Sequence, residues 1–200
     1  NPLKLGADVV WHSCTKYIGG HGDVMGGVII TADAARGYGV WNQWMYNLGT
    51  NLSPFNAFLL VRGLKTLALR VERQAANALA IAQWLSNDSR IGNVSYPGLP
   101  NDPGHAVASR QMSAYGGVLA FDVVAGQPAA FAFHDRLKVI VKTTSLGDVA
   151  SLISHPASTS HRQFSVEDRA AWGVNEGTLR LSVGIEDVAD LIGDLDQALG

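Results

Sequence analysis

Residues 7–31, ADVVWHSCTKYIGGHGDVMGGVIIT, carry two apolar, β-branched runs separated by a polar, glycine-rich connection. Residues 7–12 (ADVVWH) and 28–31 (VIIT) are predicted as short buried strands, because such runs bounded by turn residues suit a sheet covered on both faces. Ser13, Thr15 and Lys16 fall just past the first strand, and Gly19, Gly20, Gly22, Gly26 and Gly27 follow. Alternate positions 13 and 15 could aim both hydroxyls at one phosphate, and glycine admits close backbone approach to a ligand. A lysine beside an aldehyde condenses with it, which is an established covalent use of this side chain. On spacing alone, a surface loop with an exposed lysine explains the same residues more often, since Ser, Thr, Lys and Gly are common there.

Other chemistries fit this segment poorly. A P-loop fails on order, because the glycines follow Lys16 and no G-K-[ST] occurs. His12, His21 and Asp23 match no established ligand spacing, so no metal is expected. Cys14 lacks recognisable cysteine-hydrolase surroundings. As the single cysteine it permits no internal disulfide, which fits a reducing compartment.

The 200 residues are 47% hydrophobic with net charge −2, enough for one sizeable core or for one domain and a piece of a second. That near-balance offers no electrostatic footprint for nucleic acid or an anionic membrane. No apolar run approaches the roughly 20 residues a bilayer span needs. The first residues, NPLKLGAD, lack the pattern of a secretory signal, and a cytoplasmic location is expected.

Moving outward, two buried strands without a sheet to join predict that the chain begins inside a domain. Ser53-Pro54 offers a cap and a first-turn proline for a helix. Leu60, Leu64, Leu67, Val71, Leu79, Ile81 and Leu85 then recur at helical spacing. They predict one linking helix over about 54–86, with a gentle break near Arg62-Gly63. Beyond it, 94–97, 116–123, 138–142 and 178–183 read as strands, and 129–137 as a helix. Residues 187–199 read as an amphipathic closing helix with Val188, Leu191, Ile192, Leu195 and Leu199 on one face. The expected class is α/β with a partly antiparallel sheet. Trp41, Trp44, Met45 and Tyr46 form a cluster suited to a subunit interface, a substrate channel or plain core packing. His155 and His161 are expected to build a loop rather than to act as acids.

LGADVVWHSCTKYIGGHGDVMGG (5–27) closely resembles the cofactor-lysine segment of the Cys/Met-metabolism family of pyridoxal-phosphate enzymes. That family includes cystathionine γ-synthase, cystathionine γ-lyase and methionine γ-lyase. The resemblance continues in order through 53–70, 96–117, SLGDVASLISHPASTSH (145–161) and GTLRLSVGIEDVADLIGDL (177–195). It implies a fold-type-I transferase, with residues 1–62 the C-terminal remnant of a large cofactor-binding domain and 63–200 a small C-terminal domain. It further implies that Lys16 holds pyridoxal 5'-phosphate as an imine and shuttles protons, and that Ser13 and Thr15 bind its phosphate. Arg180 would bind the substrate α-carboxylate, assisted by the backbone of Ser145.

The activity implied is γ-replacement or γ-elimination on sulfur- or homoserine-derived amino acids, as in trans-sulfuration, methionine γ-lyase or O-acyl-homoserine sulfhydrylase. Many cystathionine-handling members carry a glutamate where this chain has Ala150, so the substrate stays open among these. The resemblance also implies a preceding half that supplies the rest of the site, and a homo-oligomer, tetrameric by that resemblance. A non-catalytic fragment associating with that half is the alternative of another class.

Overall fold

The two apolar runs flanking the glycine-rich connection pair with each other. Val9–Ser13 (β1) and Gly27–Thr31 (β2) lie antiparallel, with Ser13 opposite Gly27 and Val9 opposite Thr31. The computed structural model describes residues 1–200. They divide into two units, Asn1–Leu67 and Ala68–Gly200.

In the first unit the expectation of buried strands is corrected. Trp11 is 76% exposed, and Val9, Ile29 and Ile30 are exposed with it. The sheet has only two strands, and much of its apolar surface stays open to solvent. The buried apolar side chains here are Cys14, Val24 and Leu60, flanked by Ile18, Val28 and Leu59. Ala34–Val40 (α1) starts at Asp33, whose carboxylate accepts from the Ala35 and Arg36 amides, a cap that satisfies first-turn donors. It runs into a wider turn over Trp41–Tyr46. Core packing of the aromatic cluster is overturned, because Trp41, Trp44, Met45 and Tyr46 are all exposed. Trp41, Trp44 and Met45 instead join Trp11, Val28 and Ile29 along an open apolar cleft of about 850 Å³.

The single long helix expected from sequence is two helices. Pro54–Leu64 (α2) begins where predicted, with the Ser53 hydroxyl accepting from the Asn56 amide. It ends as the Lys65 and Thr66 amides tighten onto the Arg62 and Gly63 carbonyls. Leu67–Leu85 (α3) follows. Gly63 lies inside the first helix because it marks a contact and not a bend: a Cβ there would lie 2.4 Å from the Gly19 carbonyl oxygen.

The second unit is a five-stranded sheet backed by helices. Its elements are Ile91–Ser95 (β3), His105–Gln111 (α4), Val118–Val123 (β4), Gly126–Arg136 (α5), Val141–Lys142 (β5), Leu152–Ser154 (β6), Val166–Ala171 (α6), Thr178–Ser182 (β7) and Val188–Leu199 (α7). The strand order is β3-β4-β7-β6-β5. Every pairing is antiparallel except β5 with β6. Leu119, Phe121 and Val123 alternate inward from β4, as period two requires. With Leu179 and Leu181 they meet Ile81 and Leu85 of α3, Phe133 of α5, and Leu191 and Leu195 of α7. No helix in either unit is long and apolar enough to cross a membrane.

Candidate active site

The chemistry-bearing residues of the first unit sit where β1 ends. Ser13 is the last strand residue and is exposed. Cys14–Ile18 then forms a π-helical turn, closed by the Gly19 amide on the Cys14 carbonyl at 2.8 Å. Lys16 departs from the helical path inside it, with φ −92 and ψ −130, and its side chain is half-buried. The turn is fixed from several sides. Cys14 is buried against Val24 and Leu60, and burial pushes its thiol pKa up. The Cys14 and Thr15 amides both donate to the Gly26 carbonyl. His21 donates from Nδ1 to the Gly19 carbonyl at 2.8 Å, which fixes its tautomer, since a carbonyl only accepts. α2 brings its side-chain-free Gly63 against Ile18 and Gly19.

The two hydroxyls read from the sequence have different surroundings. The strand alternation that would align them stops at Ser13, and Thr15 lies in the turn. The Gly26 amide donates to Thr15 Oγ1 at 3.0 Å, whereas the contact from Thr15 Oγ1 to the Gly26 carbonyl is long, at 3.4 Å. The oxygen is therefore fixed while its proton remains weakly engaged and available to an anion. An amine, two hydroxyls and glycine-flanked backbone form a donor set that suits a phosphorylated aldehyde, so these residues fit pyridoxal phosphate. No three His, Cys, Asp or Glu side chains converge to hold a metal ion.

In the second unit Arg180 lies at the middle of β7, paired with Ala120 on one side and Ser154 on the other. Its Nη2 donates to the Ser145 carbonyl at 2.8 Å. Its Nε is buried and has no hydrogen-bond partner. Burial pushes the guanidinium pKa down, and no acidic side chain opposes that effect. A positive group in this condition recruits an anion, and a carboxylate matches the fork of a guanidinium. Ser145 itself holds φ 116, a left-handed backbone that costs a non-glycine residue about 1–3 kcal/mol.

Several supports around this arginine were not singled out from the sequence. Gln74 Nε2 on α3 donates to the Asp148 carbonyl at 2.6 Å, and Asn77 Nδ2 donates to the Gly184 and Glu186 carbonyls. Arg70 is buried on the same helix, and Asp148 partly offsets the loss of its hydration. Glu186 accepts from both the amide and the hydroxyl of Ser151. The sequence signal was present, since Arg70, Gln74 and Asn77 interrupt an otherwise apolar helical face. His155 is buried, bonded to Ser158 and to the Glu176 carbonyl, and so builds its loop. His161 packs against Phe164 and Trp172.

Comparison with known proteins agrees along the entire chain. The model of the Cys/Met metabolism PLP-dependent enzymes matches residues 1–200. An L-methionine gamma-lyase of Pseudomonas deceptionensis is 46% identical over 99% of this chain and 50% of its own length. An O-succinylhomoserine sulfhydrylase of Pseudomonas aeruginosa is also 46% identical, over 99% of this chain and 49% of its own. The crystal structure of cystathionine gamma synthase from Xanthomonas oryzae pv. oryzae superposes with a TM-score of 0.92 at 45% identity, covering 99% of this chain and 51% of that one. The chain thus spans about half the length of the curated relatives it matches.

Proposed function

The chain belongs to the Cys/Met metabolism family of PLP-dependent enzymes, and from that membership we propose that it acts at the γ-carbon of a sulfur- or homoserine-derived amino acid. The observation that carries the reading is Arg180, a half-buried guanidinium that donates to the Ser145 carbonyl and whose buried Nε has no partner. It is built to receive a carboxylate, which every α-amino acid carries.

Lys16 through its amine, and Ser13 and Thr15 through their hydroxyls, would hold pyridoxal phosphate. When bound, that cofactor supplies an electron sink for charge developing on the substrate. Arg180 would bind the α-carboxylate and so fix the orientation of the amino acid. Lys16 Nζ takes the proton from Cα and then serves the neighbouring carbon, so that the γ-substituent can depart. The relatives match equally well as a lyase of methionine and as a sulfhydrylase of an acyl-homoserine. Ala150 places no charge beside the loop of Ser145, so no acid at that position selects a distal amino group. A cytoplasmic location and homo-oligomeric assembly, tetrameric by resemblance, belong to the same proposal.

The test is covalent trapping. Incubation with pyridoxal phosphate, borohydride reduction and peptide mass spectrometry should place the label on Lys16 and find none in Lys16→Ala. A label retained at the same level in Lys16→Ala overturns the assignment.

A further inference from the structure

We infer that Ser182 is a positioning residue for the carboxylate grip of Arg180, an inference that rests on the reading of Arg180 given above. The strand and the loop facing it run in step. Arg180 Nη2 donates to the Ser145 carbonyl at 2.8 Å. Two residues further along each segment, the Gly147 amide donates to Ser182 Oγ at 2.9 Å, in a buried bond. Residues i and i+2 of a strand project to the same face, so one face of β7 supplies both contacts. Ser182 is 1% exposed, and no water competes for its oxygen.

The loop does not hold this path by local preference. Glycine adopts the φ of 79 at Gly147 freely, but Ser145 has φ 116, and a serine stays in the left-handed region only where its surroundings impose it. The tethers from Gln74 to the Asp148 carbonyl, from Ile185 N to the Val149 carbonyl and from Gly184 N to Ser151 Oγ lie further along. On its C-terminal side, Gly147 is the anchored position nearest to Ser145, with only Leu146 between them. Without the Ser182 oxygen, a buried N–H loses its acceptor and the loop must shift to satisfy it. The Ser145 carbonyl then leaves Nη2, and the guanidinium loses the orientation that aims Nε at a ligand.

The experiment is an NMR titration of the chain with L-norleucine, which has no leaving group, and with L-norleucinamide, which lacks the carboxylate. It is run on the unaltered protein, Ser182→Thr and Ser182→Val, two variants of equal shape that differ in the hydroxyl. The unaltered protein and Ser182→Thr should prefer norleucine, whereas Ser182→Val should lose that preference roughly tenfold. Apart from the strand around 180–182 and its paired neighbours, signals outside 143–151 should stay in place. Equal preference in the Thr and Val variants overturns the inference while leaving the reading of Arg180 intact. No preference in the unaltered protein overturns the reading of Arg180 itself. If both branched variants unfold, Ser182→Ala decides: lost preference in a folded chain supports the role, and retained preference or an unfolded chain overturns it.

Discussion

The lysine unit and the arginine unit hold their candidate site residues by different means. Around Arg180 a continuous core runs through α3, β4, α5, β7 and α7. Gln74 and Glu186 then tether the loop beside it at Asp148 and Ser151, and Asn77 holds the 184–186 turn. Around Lys16 the buried cluster is Cys14, Val24 and Leu60, and order comes from backbone contact at Gly63 and the Gly26 amide. Val9, Trp11, Ile29 and Ile30 of β1 and β2 remain outside that cluster and exposed. A two-stranded sheet is marginal by itself, and an apolar face of this extent gains stability when covered. The surroundings of Arg180 are therefore self-supporting, whereas the lysine turn is braced locally.

The sharpest way to break that contrast is one truncation in each unit. Leu181→Ala removes a fully buried side chain from the centre of the second core and should cost about 2–5 kcal/mol. Ile29→Ala, at a site 56% exposed, should change stability by less than about 0.5 kcal/mol. Urea denaturation of both variants measures the difference, and equal losses would remove the distinction between the units.

A second substitution sharpens the local bracing. Gly63→Ala puts a Cβ 2.4 Å from the Gly19 carbonyl oxygen and 2.6 Å from that of Ile18. These are backbone atoms that cannot rotate aside, so an overpacking cost of about 1–3 kcal/mol is expected within the first unit. Hydrogen exchange should accelerate at the Gly19 and Gly20 amides, which close on Cys14 and Lys16. Unchanged protection there would mean that the helix contact does not brace the turn.

A third test concerns how the second unit depends on pH. Burial pushes the Asp194 carboxyl up, but bonds from the Ile140, Lys138 and Val139 amides and from Gln197 outweigh it and leave the pKa below the ordinary range. A depressed folded value means that the ionised form stabilises the fold above the unfolded pKa of about 3.9. That contribution is lost as pH falls through the folded value. Asp194→Asn should cost about 1–3 kcal/mol at neutral pH. The gap from the unaltered protein should narrow steadily in acid, as stability curves between pH 7 and pH 2 would record.

Legibility followed the same division. β7 and α7 could be read from periodicity because their apolar faces meet a core inside the chain. The start of α2 was legible because Ser53 and Pro54 act locally. The burial of β1 and β2 was misread, since apolar content reports what a strand would cover and not whether anything covers it. β6 was missed because three residues carry no period, and its burial comes from lying between β5 and β7. The candidate site came from resemblance and not from spacing. Ser145 and Arg180 are 35 residues apart, and their contact exists only because the sheet order brings that loop beside β7.

The smallest effect probes the backbone strain at Ser145. Ser145→Gly keeps the carbonyl that accepts from Arg180 and removes the penalty of a side chain at φ 116. Glycine also gains freedom in the unfolded chain, at a cost of about 0.4–1 kcal/mol, against a relieved strain of about 1–3 kcal/mol. The balance predicts a stabilisation of about 1 kcal/mol, read as a higher urea midpoint at unchanged slope. Preference for norleucine over its amide should fall only slightly, because Gly147 and Ser182 still set the path of the loop. A stabilised variant with full loss of that preference would show that the serine side chain, rather than the backbone conformation it adopts, contributes to the grip.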